Sequence, residues 1–139
     1  MRKALYTIIA VIMAITAFGC SGSNRSTQPQ GSVTTIGSTD FEKLLNENKD
    51  IRLIDVRTAK EFANGHLVGA ENKDVNQPDF DNEIELQKGR KARNIIAVYC
   101  RSGKRSLKAA NILANKGFMV YNLGGGILAW QQAGKPITK

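Results

Sequence analysis

One thiol stands where chemistry is most easily built. Cys100 follows the apolar run Ile95-Ile96-Ala97-Val98-Tyr99 and precedes Arg101-Ser102-Gly103-Lys104-Arg105-Ser106. A free cysteine has a pKa near 8.5, so little of it is the nucleophilic thiolate at neutral pH. Three features of this loop favour the thiolate. Successive backbone N–H groups in a short turn form a nest for negative charge. A helix starting near Arg105 points its positive end at the site. Arg101, Lys104 and Arg105 add formal positive charge. A drop of two pKa units needs ~2.7 kcal/mol of differential stabilisation, within reach of these effects together. Gly103 lets the loop turn, and the hydroxyls of Ser102 and Ser106 are available as donors. The constellation suits nucleophilic attack on a small anion.

The elements that must hold this loop follow from the flanking pattern. Val33 to Ile36, Ile51 to Val56, Asn94 to Tyr99 and Phe118 to Tyr121 read as strands. Between them the spacing predicts helices. One starts at Ser38-Thr39-Asp40, with Thr39 and Glu42 spaced as a capping box and Phe41, Leu44 and Leu45 as its stripe. A short one opens on a second box, Thr58 and Glu61, and ends at the Asn64-Gly65 turn. Leu67 to Ala70 runs towards an edge segment, and a helix falls within 78–87. Arg105 to Lys116 is a helix stopped by Gly117, and Ile127 to Gln132 is a last short one after Gly124-Gly125-Gly126. Alternating strands and helices predict an α/β fold with a parallel sheet covered on both faces. Ligands in such folds bind at the carboxyl ends of strands, where Cys100 falls.

Three motifs then carry a resemblance. Ile54-Asp55-Val56-Arg57, with Glu61-Phe62 and Gly65-His66-Leu67-Val68-Gly69-Ala70-Glu71-Asn72, resembles the first signature of the rhodanese domain family. Cys100 to Ser106 is similar to its active-site loop. Asn122-Leu123-Gly124-Gly125-Gly126 and Trp130 resemble its closing motif. The match spans about residue 33 to residue 137, in the family's order. It implies a rhodanese-like three-layer fold, with a five-stranded parallel sheet between helices. It also implies a sulfurtransferase without a cofactor. Cys100 would take the sulfane sulfur of a small anionic donor such as thiosulfate, and a thiol or cyanide would accept it from the persulfide. The backbone of residues 101–105 would cradle the sulfur. Arg101 and Lys104 would draw in the donor, and Arg101, Ser102, Gly103, Lys104 and Arg105 together form the expected substrate-binding set.

Two alternatives stay open. Phosphatase and arsenate-reductase relatives carry five residues between cysteine and arginine, whereas four separate Cys100 from Arg105 here. That is a tighter cradle, suited to one sulfur atom. A non-catalytic persulfide carrier or partner-binding module would keep the fold without turnover.

Other residues invite chemistry and read better as structure. His66, the sole histidine, resembles a turn-fixing element, and an existing thiolate needs no base. Asp55 and Arg57 are expected to pair, Glu61 to cap its own helix, and Trp130 to lie in the core, packing beneath the active loop. One histidine and one available cysteine cannot build a zinc site. Gly124 to Gly126 lack the spacing of a dinucleotide loop and read as a tight turn.

The N-terminus has a separate logic. Arg2 and Lys3 precede about fifteen mostly apolar residues, fewer than the ~20 of a membrane span. This is the layout of a signal peptide. Ala17-Phe18-Gly19-Cys20 resembles a bacterial lipobox, which implies acylation of Cys20; a plain signal peptide cut elsewhere, or an uncleaved anchor, is the alternative. The expected organisation is a signal over 1–19, a flexible tether over 20–32 and the rhodanese domain over 33–139. Each buried acyl methylene contributes ~0.8 kcal/mol, so two or more chains would hold the domain at an envelope membrane, facing the periplasm or the exterior. Cys100 would then be a lone thiol in an oxidising compartment, where cysteines ordinarily pair. The +8 charge gathers at Lys88, Arg90, Lys91 and Arg93 and at the Cys100 loop. Export argues against nucleic acid and leaves small anions as the simpler partner for the loop. A monomer is the default expectation.

Overall fold

The computed structural model describes residues 31–85 and 94–139. Cys20, the signal and most of the tether, and the cluster Lys88, Arg90, Lys91 and Arg93 lie outside the described residues. The chain runs β1 (Ser32–Ile36), α1 (Ser38–Glu47), β2 (Arg52–Asp55), α2 (Ala59–Ala63), β3 (His66–Leu67), β4 (Glu71–Asn72), α3 (Phe80–Glu85), β5 (Ile95–Tyr99), α4 (Lys104–Asn115), β6 (Met119–Leu123), α5 (Gly126–Gln132) and β7 (Ile137–Thr138). Five strands form one sheet in the order β1-β6-β5-β2-β4, and every pairing in it is parallel. β3 and β7 form a separate antiparallel pair.

Period-two alternation along the central strands splits the core into two layers. From β5, Ile96 and Val98, with Cys100 just beyond the strand, face a cluster that includes Phe80 and Ile84 of α3 and Ala109, Ala110 and Leu113 of α4. Ala97 and Tyr99 face the opposite cluster, with Phe41 of α1 and Ile127 and Trp130 of α5. A strand buried on both faces needs a continuous apolar run, and β5 has one. Cys100 therefore leaves the sheet on the α4 side, with its backbone already fixed by the central strand.

Two expectations are corrected in detail, and one strand pairing lies outside them. Thr39 and Glu42 do not form a capping box: the N-cap of α1 is Gly37, two residues before Thr39, with no side-chain cap, and Glu42 pairs with Lys135 instead. Trp130 is core, but it packs edge-on to Phe41, ring centroids 6.3 Å apart, in the layer opposite Cys100. The two-residue β3 joins the C-terminal β7, a strand too short to carry a readable pattern.

Candidate active site

Cys100 is the first residue beyond β5, and its side chain is 1% exposed. The next residues turn back over it. Gly103 adopts φ +99, a conformation that disfavours any side chain, and serves as the N-cap of α4. This turn brings donors onto the sulfur. The Gly103 amide donates to Cys100 Sγ at 3.1 Å, and the buried Ser106 hydroxyl donates at 3.4 Å. Burial pushes the thiol up. The Ser106 hydroxyl and the amides of Ser106, Gly103 and Ser102 outweigh it, leaving the pKa below its ordinary value. The inward-facing amides expected from the sequence are present.

The carbonyl side of the loop is held separately. Ile127 and Leu128, in the first turn of α5, donate their amides to the Cys100 and Arg101 carbonyls at 2.9 and 3.2 Å. Free N–H groups at a helix start are natural partners for such oxygens. Gly126, at φ +60, allows this approach. A Cβ there would lie 2.4 Å from the Arg101 oxygen and 2.5 Å from that of Cys100. With its carbonyls tied to α5, the loop presents its amides to the sulfur. The sequence shows only a glycine triplet before a helix, which carries no sign of the anchoring role of α5.

Arg101, Ser102 and Lys104 stand exposed on the rim, while Gly103 and Arg105 are half-buried. Arg105 does not project freely. Its Nη1 and Nη2 donate to Glu61 Oε2 and Oε1 at 2.8 and 2.7 Å. Glu61 keeps the predicted capping box as well, its carboxylate accepting from the Thr58 amide at 3.1 Å and its backbone N–H donating to the Thr58 hydroxyl oxygen at 3.3 Å. Arg105, and more weakly the Thr58 bonds, hold the Glu61 carboxyl down to about 2. The Arg105 charge is matched by a carboxylate, so hydrogen bonds, rather than bare cations, carry most of the thiolate's stabilisation.

Asp55 and Arg57 brace the same end of the sheet. Arg57 Nη2 donates to Asp55 Oδ2 at 2.6 Å and to the Gly65 carbonyl at 2.7 Å. Both side chains are buried, as the expected structural pair. The Tyr99 hydroxyl accepts from the Leu67 amide at 3.0 Å; burial and the neighbouring Asp55 hold that phenol well above its usual pKa. His66 fixes its turn by bonding Nδ1 to the Phe62 carbonyl at 2.9 Å and stacking on the Phe62 ring.

The family model for the Rhodanese-like domain matches residues 38–133. The chain belongs to the rhodanese-like family. A sulfurtransferase of Allochromatium vinosum is 36% identical over 107 residues, covering 76% of this chain and 95% of that one. The thiosulfate sulfurtransferase GlpE of Shewanella oneidensis is 33% identical over 91 residues, covering 64% and 84%. Among solved structures, a rhodanese-related protein of Thermoplasma volcanium superposes with a TM-score of 0.61 at 27% identity, covering 75% of this chain and 96% of that one. This chain thus shares its fold with a solved rhodanese-related protein, and its sequence is similar to proteins named for sulfur transfer.

Proposed function

We propose that this rhodanese-like domain is a thiosulfate-type sulfurtransferase working through a persulfide on Cys100. The observation that carries the reading is the buried Cys100 sulfur, held below its ordinary pKa by hydrogen bonds from its own loop. The thiolate attacks the outer sulfur of thiosulfate, forming the new S–S bond. The donor's S–S bond breaks, and sulfite leaves with the electron pair. Cyanide or a thiolate then attacks the outer sulfur of the persulfide, takes it as thiocyanate or as a new persulfide, and returns the electron pair to Cys100. This is two-step covalent catalysis, with ping-pong kinetics expected. The loop amides of Ser102, Gly103 and Ser106 receive the negative charge at each stage. Arg101 and Lys104 on the rim meet the sulfonate end of the donor.

Mass spectrometry after thiosulfate exposure tests this. The wild type should gain the mass of one sulfur atom, removable by cyanide, and Cys100→Ser should gain none. Loading without saturable turnover would make the domain a persulfide carrier. Hydrolysis of a phosphate ester without loading would replace the reading with phosphatase chemistry.

The proposal extends to location. The apolar start of the chain and Cys20 support export and lipid attachment, with the folded domain beginning near residue 33. Incorporation of labelled palmitate, lost in Cys20→Ala, is the expected outcome. Equal labelling of both forms would remove the anchor.

A further inference from the structure

Arg105 carries the one fork-shaped cation of the loop that lies half-buried, and the fork is already filled. Both terminal nitrogens donate to Glu61, 44 residues earlier in the chain. Carboxylate and phosphate compete for a guanidinium because both accept its two parallel N–H bonds. Glu61 cannot drift away easily, because Thr58 binds the same carboxylate through its amide and its hydroxyl at 3.1 and 3.0 Å. Asp74 and the Cys100 thiolate add further negative charge around Arg105.

We infer that Glu61 is a specificity-determining residue of this site, occupying the Arg105 fork that a tetrahedral oxyanion such as phosphate or sulfate would otherwise take. The cradle is left with uncharged amide and hydroxyl donors, which suit a single sulfur atom. An oxyanion needs several charged or paired donors for its oxygens and finds its natural bidentate partner engaged. The Glu61 carboxyl is held to about 2, so the pin stays ionised throughout the range in which the thiolate can work. The inference rests on Cys100 being the reactive atom of the proposed reaction, and Arg105 acts on the bound anion through its position beside that atom.

The test uses the full chain in detergent with Cys20→Ser, which leaves Cys100 as the one remaining thiol. Alkylation of Cys100 by iodoacetamide is followed at constant pH and ionic strength while inorganic phosphate is titrated, and protection gives a Kd for phosphate. Glu61→Gln removes the charge but keeps a capping acceptor at the same helical position, so the local turn is preserved. It should tighten phosphate binding by roughly three- to tenfold, as expected for freeing one charge at a partly exposed site. In Glu61→Gln with Arg105→Gln, that gain should vanish, which ties it to the guanidinium. Should Glu61→Gln fail to fold, as judged by thermal melting, Glu61→Asp carries the test: the shorter carboxylate retreats from the fork, and phosphate should again bind more tightly than in the wild type. An unchanged or weaker phosphate affinity, or a gain that survives loss of Arg105, would overturn the inference. Alkylation needs no turnover, so this result stands apart from persulfide loading; failure of loading with a positive phosphate shift would sink the sulfurtransferase reading alone.

Discussion

Replacing Ser106 by alanine should raise the Cys100 pKa by about one unit. The hydroxyl is fully buried and donates to Sγ at 3.4 Å. Hydrogen bonds to charged groups contribute ~1.5–3 kcal/mol, and this one lies at the long end for its type, so ~1.5 kcal/mol is the fitting value. Since 1.36 kcal/mol corresponds to one pKa unit, the thiolate fraction below the pKa should fall about tenfold. A more basic thiolate is intrinsically more nucleophilic, with a Brønsted coefficient near ~0.45, which returns about threefold. The net loss of rate at neutral pH is therefore about threefold, while the pH–rate profile moves by the whole unit. Iodoacetamide alkylation across pH, in the Cys20→Ser background, reads both. Alanine is the better helix former, so the melting temperature should hold at acid pH, where the thiol is protonated. Linkage gives a second check. A thiol depressed in the folded state adds stability as pH rises through its folded pKa, complete above the unfolded value of about 8.5, and loses it as pH falls back. Ser106→Ala should shrink that alkaline gain. An unshifted profile would refute the view that the Ser106 hydroxyl helps to hold the thiolate.

Asp55→Asn leaves the Arg57 guanidinium buried beside a neutral partner, and urea denaturation should show a loss of about 3–5 kcal/mol, with a loss below ~1 kcal/mol contradicting the account. Gly126→Ala should both destabilise the domain and slow Cys100 alkylation, because its Cβ meets the Arg101 and Cys100 carbonyls. Gly134→Ala, at φ +71 with open space around it, should cost only the backbone strain of ~1 kcal/mol or more and leave the thiol unchanged. Comparable effects at the two glycines would dismiss the crowding argument. The Glu61–Arg105 pair should stabilise the fold above the unfolded carboxyl value of about 4.3 and fade as pH falls through about 2. Melting curves of wild type and Glu61→Gln should then differ above pH ~4.5 and converge towards pH ~2.

Much of this was legible from local signals. The β5 run is apolar because both its faces are buried, and that is visible in any window containing it. The Thr58–Glu61 box is real because α2 begins just after β2 ends, with Thr58 in the extended conformation of an N-cap. The same spacing at Thr39 and Glu42 is empty because the chain enters α1 at Gly37, with Gly37 accepting the first helical bond from Phe41, and Lys135 draws Glu42 away. Contacts across the sheet were not legible: Glu61 meets Arg105 because α2 and α4 both start at the carboxyl end of the sheet, which no spacing records. The α5 amides on the Cys100 loop belong to the same class of long-range, backbone-only contact.

The depth of Cys100 has a consequence for what an incoming thiol can reach. At 1% exposure, the inner sulfur of a loaded site would sit behind the loop, and only the terminal atom would face visitors. Attack on the inner atom would give a mixed disulfide and expel hydrosulfide; attack on the outer atom hands the cargo on. Regiochemistry would thus be imposed by walls, and the same walls would keep bulky oxidised thiols in the surroundings from sealing the residue.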